Sequence, residues 1–448
     1  MNIGSRLELF VDDYLIESME GVTQKLQSPM RREVALELSR PWEGPVSYDP
    51  VVVRDGDRYR MWYRGARDNE TGTWHTCYAE SRDGVEWERV PVGDVAFGGS
   101  RDNNIVIGGA IANAVCVFRD GNPSTPDDER YKATGIGRRA EDRDVIVALV
   151  SPDGLHWRLM QEAPIVVAPA GSDSAFDSHN IFFWDDEKAC YAGYLRGCIE
   201  PGVRAIRWGT SPDFRTWSEL SYIDVGDSPR EHLYKNACQP YFRAPHLYLM
   251  FPKRFMEDRK AVQEHPHQGV SDAVFMTSRD GHHWDRRFME AFLRPGLDRD
   301  NWTERNLYIG PNVVPTGPGE MSLYFMEHYR HPSCRIRRGT LRTDGFVSIH
   351  AGYWGGELVT KPLRFKGKEL VINYATSAAG SVRVEVQDGE GKPVPGHSLG
   401  DAAEMYGDEI ERVVGWRNGS DLGRFSGQAV RLRFALKDAD LYAVRFRA

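Results

Sequence analysis

Ser81-Arg-Asp-Gly-Val-Glu-Trp87 decides how this chain is read, because it returns. SPDGLHW ends at Trp157, SPDFRTW at Trp217 and SRDGHHW at Trp284, and a degenerate fifth copy, LRTDGFV, covers Leu341 to Val347. The spacings between the tryptophans are 70, 60 and 67 residues. Each part of the heptad has a local task. Ser and Asp accept hydrogen bonds from the turn backbone, Gly supplies positive φ, and Trp packs as the next strand starts. The unit predicts a hairpin turn rather than chemistry. The third copy, with Phe214 where the others have Gly, fits a fold signal.

Upstream of each turn lies a second shared pattern: an extended segment, a short turn and an aromatic strand. The copies are YDPVVVRDGDRYRMWYRG from Tyr48, NAVCVFRDG…ERYKATGIG from Asn113, SHNIFFWDDEKACYAGYLRG from Ser178, CQPYFRAPHLYLMFPKR from Cys238 and GPNVVPTGPGEMSLYFMEH from Gly310. Each repeat therefore reads as four antiparallel strands. Five such units predict an all-β chain built on a five-bladed β-propeller over residues 45–352. Residues 1–44 are expected to supply a ring-closing strand at Leu7–Ile16. From residue 353 to 448, short alternating runs such as SVRVEVQD and AVRLRFALK predict a C-terminal β-sandwich.

Composition agrees and excludes little else. Among 448 residues there are 12 Trp, 19 Tyr and 19 Phe beside 44 Gly and 25 Pro, a mixture of strand and turn formers. The net charge of −8 argues against a nucleic-acid partner. No apolar run approaches the roughly 18–20 residues that span a bilayer, so no membrane partner is expected. MNIGSRLELFVDDYLIE has no apolar signal-peptide core, which predicts a cytoplasmic protein unless a leader has been removed. Six cysteines without a CxxC read as free thiols. No cofactor and no metal site is expected: His265-Pro-His267 lacks matched ligands.

Strand order places the loops entering the first strand of each blade, and those joining its second and third strands, on one face. That face collects Trp42, Asp49, Asp173, Asp177, His179, Glu231, Trp302 and Glu304 from the first set of loops, and Arg64, Arg138, Arg139, Arg196, Lys253 and Glu327 from the second. Carboxylates able to act as acid, base or nucleophile, with arginines and aromatics, suit a carbohydrate.

At this point the chain resembles glycoside hydrolase family 32 in architecture, and its propeller resembles families 43 and 130. The Ser-Asp-Gly-Trp turn also resembles the Asp-box of sialidases, which usually have six blades. Tyr48-Asp49-Pro50 resembles the Asn-Asp-Pro motif of family 32, whose Asp is the nucleophile. The place of its Arg-Asp-Pro motif is taken by His179-Asn180, with Asp177 two residues earlier. Its Glu-Cys-Pro motif becomes Ala237-Cys238-Gln239-Pro240, without the acid.

The resemblance implies a glycoside hydrolase using carboxylate acid/base chemistry in an axial funnel. Asp49, Asp177, Glu231 and Glu304 are the catalytic candidates. Arg64, His179, Arg196, Gln239, Trp42, Trp302 and Glu327 are the substrate-binding candidates. A phosphorylase of similar fold is the alternative, with Arg64, Arg138, Arg139 and Arg196 as its basic pocket. A non-catalytic carbohydrate-binding propeller is the third reading. Oligomeric state is left open.

Overall fold

The structure is a computed structural model and describes residues 1–68, 73–137, 143–169, 175–200 and 202–448. The chain is all-β. The helical segments among the described residues are single 3-10 turns such as Ala110–Ala112 and Arg299–Trp302. It divides into two compact units, one of residues 29–340 and one that joins residues 1–28 to 341–448. Among the described residues no helix is long and apolar enough to cross a membrane. All six cysteines are unpaired thiols.

The unit of residues 29–340 consists of antiparallel sheets that follow the sequence repeat. The first runs Tyr48–Asp55, Arg58–Gly65, His75–Ser81 and Ile105–Gly108. The second contains Cys116–Arg119, Tyr131–Ile136, Val145–Ser151 and Arg158–Leu159, and the third Ile181–Asp185, Cys190–Glu200, Val203–Ser211 and Ser221–Tyr222. The fourth repeat is split into two three-stranded pieces. One holds His232–Tyr234, Lys253–Met256 and Val270–Ala273; the other holds Gln239–Tyr241, Ala244–Met250 and Met276–Ser278. The break falls at Pro252, which has no N–H to continue the ladder, opposite Lys235 and Ala237, both at positive φ. In the fifth, Val314–Gly317, Glu320–Glu327 and Arg335–Arg342 are joined by Met30–Glu37 from far earlier in the chain.

That last strand differs from the expectation. Leu7–Ile16 does not complete a sheet in this unit; Glu8–Leu9 pairs with Val444 and Ala443 in the other one. Met30–Glu37 pairs instead with Arg335–Arg342, through two register shifts. An alternating apolar run such as LELFVDDYLI suits any half-buried edge, so its pattern carries no information about its partner. The boundary accordingly lies at residues 340–341, and the first 28 residues belong with the C-terminal strands.

The Ser-Asp-Gly turns are built as their chemistry requires. Ser81 Oγ accepts from Gly84 N at 2.8 Å, and Asp83 Oδ1 accepts from Val85 N at 2.8 Å and Glu86 N at 3.0 Å. The same bonds recur at Ser151 and Asp153, and at Ser278 and Asp280. The glycines stand at φ 76–80°, and Phe214 takes the same place at 63°. The turns also tie neighbouring sheets. Trp62 Nε1 donates to Gly154 O at 2.8 Å, Tyr194 Oη to Gly281 O at 2.7 Å and Tyr324 Oη to Gly84 O at 2.5 Å. First strands lie side by side: Tyr48–Asp55 lies beside Cys116–Arg119, which lies beside Ile181–Asp185. Between sheets the core is aromatic and aliphatic, as where Trp62, Tyr78, Val117 and Tyr131 meet.

Phe214 is tolerated at its left-handed position because of what its ring touches. It is fully buried, with ring centroids of Phe118 at 5.4 Å and Tyr191 at 5.0 Å. The left-handed backbone costs roughly 1–2 kcal/mol, whereas removing a buried Phe costs about 3–5 kcal/mol. Phe214→Gly is therefore expected to destabilise this unit by about 2 kcal/mol, despite restoring the residue of the other turns. A denaturation curve showing equal or greater stability would contradict this balance.

The other unit is a sheet dominated by two long strands, Glu369–Asp388 and Val430–Arg447, paired along most of their length with a break between Thr376 and Ser381. Alternation is clear in Val430-Arg-Leu-Arg-Phe-Ala-Leu436: Val430, Leu432, Phe434 and Leu436 are buried and the residues between them are half-buried. Phe365 and Phe446 stack at 3.7 Å within this core.

Candidate functional site

A cavity of about 330 Å³ opens in the unit of residues 29–340, with walls from all five repeats. The first contributes Tyr48 and Arg64, the second Asn113 and Ala114, and the third Asp177, Arg196 and Arg204. The fourth contributes Tyr234, Lys235 and Lys253, and the fifth Arg305, Tyr329 and Arg330. Arg64 and Arg196 each stand before a Gly in second strands, and Lys253 opens the strand that follows the Pro252 break. Several wall residues are held in left-handed backbone: Ala114 at φ 54°, Lys235 at 52°, Arg305 at 58° and Arg330 at 64°. Asp49, beneath them, stands at 57°. Such conformations cost of order 1–3 kcal/mol each and gather where side chains must be aimed.

Asp49 is fully buried and its carboxylate accepts from Lys235 Nζ, with an Arg64 nitrogen at 3.8 Å from its other oxygen. Burial alone would raise its pKa, but the charge of Lys235 and the nearby His179 and Arg64 hold it well below the usual carboxylate range. Lys235 lies over the rings of Tyr48 and Tyr308, at 4.4 and 4.9 Å. Burial presses its pKa down to about 8, against the pull of Asp49 and with a further push from Arg64. Lys253 is also fully buried; it donates to Tyr48 Oη at 2.8 Å and lies 4.6 Å over Tyr234. Burial, then the charges of Lys235 and Arg305, push its pKa well below that of a free lysine.

His179 lies below this layer. Its Nε2 meets the carbonyl of Val115 at 3.0 Å and its Nδ1 meets Tyr308 Oη at 2.5 Å. A carbonyl only accepts, so Nε2 carries the proton and Nδ1 accepts from Tyr308. Burial lowers the His179 pKa to about 4. An unfolded histidine takes up a proton near pH 6.5, and the folded one does so only near pH 4. The unfolded state therefore binds more protons in that window, and stability falls as pH drops through it, by up to about 3 kcal/mol. His179→Gln is expected to flatten this acid slope in pH-dependent melts; an unchanged slope would remove His179 as its source.

Asp177 differs from Asp49 in its access to solvent. Its side chain is 73% exposed, and Arg196 Nη1 donates to it at 3.0 Å and to its own carbonyl at 2.6 Å. Glu304 is buried behind the wall and ion-paired with Arg305 at 3.2 Å and Arg330 at 2.8 Å. Arg204 lies over Tyr234 and Phe255, at 5.2 and 5.1 Å, with a nitrogen 3.1 Å from His232.

The structure thus gathers Asp49, Arg64, Asp177, His179 and Arg196 in or directly under the cavity, with Glu304 behind its wall. The remaining candidates stand apart from its lining. Glu231 is engaged by Arg286 and Arg254. Glu327 is buried among Arg31, Arg335 and Arg337, and Gln239 accepts from Val313 N at 2.8 Å. Trp42 donates to Asn104 and Trp302 to the carbonyl of Gly296. Arg138, Arg139 and Asp173 lie outside the described residues. Lys235, Arg204, Arg305, Tyr234 and Arg330 were not singled out from sequence. Asp298, Asp300 and His328 bring ligand atoms within 4.8 Å of one another, but Arg335 already stands 3.0 Å from Asp298 and matches its charge.

No family model matches the chain. Two curated relatives from Mycobacterium tuberculosis, the uncharacterized proteins MT1551 and Rv1502, are each 36% identical, over 146 and 149 residues. The match covers 32% of this chain and 42% of each relative's length. Similar solved structures include a glycoside hydrolase (15% identity, TM-score 0.47, 70% of this chain and 92% of that one). A GH32 β-fructofuranosidase of Bombyx mori is 11% identical, with TM-score 0.46 over 93% of this chain and 94% of that one. An N-acetylgalactosamine deacetylase from F. plautii is 14% identical, with TM-score 0.45 over 72% and 95%.

Proposed function

We propose that the chain cleaves a glycosidic bond in this cavity. In this reading the five repeats are blades of a propeller with the cavity on its axis, and the other unit is a β-sandwich. Adjacent first strands and the aromatic-to-turn hydrogen bonds between sheets support the propeller. The long paired strands broken near Thr376 support the sandwich.

One observation carries the chemistry: Asp177 is the one carboxylate among the described lining residues, solvent-open and oriented by Arg196. Asp177, a carboxylate in its pair with Arg196, is the general base that takes the proton of an attacking water, while the leaving oxygen takes its proton from solvent in the open cavity; a general base is worth about 10²–10⁴-fold in rate. Asp49 touches no substrate; it is a positioning residue that fixes the Lys235 ammonium at the cavity floor. The attacking group, water or an added oxyanion, is held by the cationic wall. Glu304, locked between Arg305 and Arg330, keeps those two arginines in place.

Release of reducing sugar from a panel of aryl glycosides and oligosaccharides tests the reading, with Asp177→Asn as control. Turnover that survives in Asp177→Asn would remove the assignment. Dependence of release on added phosphate separates phosphorolysis from hydrolysis.

A further inference from the structure

The charge balance of the cavity points to a substrate class. Seven cationic side chains line it, against three carboxylates in or just behind the wall: Asp177, Asp49 and Glu304. Each carboxylate is already engaged, Asp177 by Arg196, Asp49 by Lys235, and Glu304 by Arg305 and Arg330. Arg204 and Lys253 form no ion pair among the described residues, although Lys253 is fully buried and faces the hydroxyl of Tyr48 and a backbone carbonyl. A buried amine with no counter-charge either sheds its proton or keeps it by gaining an anion. A neutral sugar would desolvate these cations further and leave them unpaired.

We infer that the cavity binds an oxyanion, a carboxylate, sulfate or phosphate group, held by Lys253, Lys235, Arg64, Arg196 and Arg204. This inference rests on the glycoside-cleaving reading for its sugar and deepens it by naming the charge of what the site takes. The parts suit the task. Arg64 and Arg196 are fixed by bonds to Asn113 and Asp177, so their planar forks are presented without further ordering. The aromatic floor of Tyr48, Tyr234 and Tyr308 lowers the local dielectric and strengthens every charge contact made there. The oxyanion is either carried by the sugar, as in a uronate or sulfated sugar, or is free phosphate acting as co-substrate.

Isothermal titration and thermal melts of the full chain test this with inorganic phosphate, sulfate, glucuronate and galacturonate, against glucose and galactose as neutral controls. Anions are expected to raise the melting temperature and to bind more weakly as salt rises. Neutral hexoses are expected to do neither. Lys253→Met is expected to weaken anion binding at least about tenfold, as loss of a charge-assisted contact does. Arg204→Met, a half-buried wall position, repeats the test in case Lys253→Met fails to fold. Preference for free phosphate assigns the oxyanion to a co-substrate, and preference for the uronates places it on the sugar. Anions binding no better than neutral hexoses, or binding unchanged in Arg204→Met and in folded Lys253→Met, would overturn the inference. Anion binding without any glycoside turnover keeps it and removes the cleavage reading. Turnover of neutral glycosides indifferent to anions does the reverse.

Discussion

Lys235→Met is expected to lower the stability of the unit of residues 29–340 by about 3–5 kcal/mol, the usual cost of stripping one partner from a buried ion pair. The variant leaves the Asp49 carboxylate fully buried, with an Arg64 nitrogen at 3.8 Å as its one remaining ion-pair partner among the described residues. Asp49→Asn is expected to cost less. Lys235 already has its pKa pressed to about 8, so the lone lysine can shed its proton near neutrality. Asp49 would have to gain one from far down its range. The double variant Asp49→Asn/Lys235→Met removes both charges and should recover most of the loss. Urea denaturation of the four proteins checks the ordering, and a Lys235→Met curve within about 1 kcal/mol of wild type would refute it.

Asp177→Asn is expected to behave oppositely, with a large loss of turnover and little change in stability. A proton-transfer carboxylate contributes about 10²–10⁴-fold, so kcat should fall by that factor on any glycoside the protein cleaves. Stability should stay within about 1 kcal/mol, because the Asp177 side chain is largely solvent-exposed and the buried Arg196 keeps its bond to the residue-177 carbonyl in the variant. The two readouts separate a reacting group from a structural one. A turnover within about threefold of wild type would leave Asp177 as an orienting partner of Arg196, without a share in the chemistry.

The Ser-Asp-Gly turns were legible in the sequence because their bonds are local: donors and acceptors two and three residues apart must meet wherever the motif occurs. The aromatic second strands were legible for the same reason of period. The strand that completes the fifth sheet was not. MRREVALE is charged and alternates poorly, and its partner lies roughly three hundred residues away, a pairing that no local pattern encodes.

The site divides in the same way. Arg64 and Arg196 were visible as repeated RG pairs, and Asp49 and Asp177 as acids entering first strands. Lys253 was visible as a base in the loop region after the fourth aromatic strand, although the break at Pro252 places it at the start of a new strand. Lys235, Arg305 and Arg330 line the cavity from left-handed backbone, a conformation that ordinary side chains do not announce. Glu327 looked like an acid at an arginine position. Its neighbours Arg31, Arg335 and Arg337 come from strands whose pairing sequence periodicity does not reveal.

The strand Met30–Glu37 has a consequence for how the chain is made. It leaves the ribosome roughly 300 residues ahead of its partner Arg335–Arg342, some 15–60 s at ordinary synthesis rates. Joining them closes a loop whose entropic cost is about 5 kcal/mol, so the earlier sheets must form first and bring the ends together. Throughout that interval Met30–Glu37 is an unpaired edge. Its Arg31, Arg32, Glu33 and Glu37 put charge along it, the feature that discourages an open strand from pairing with a neighbouring nascent chain.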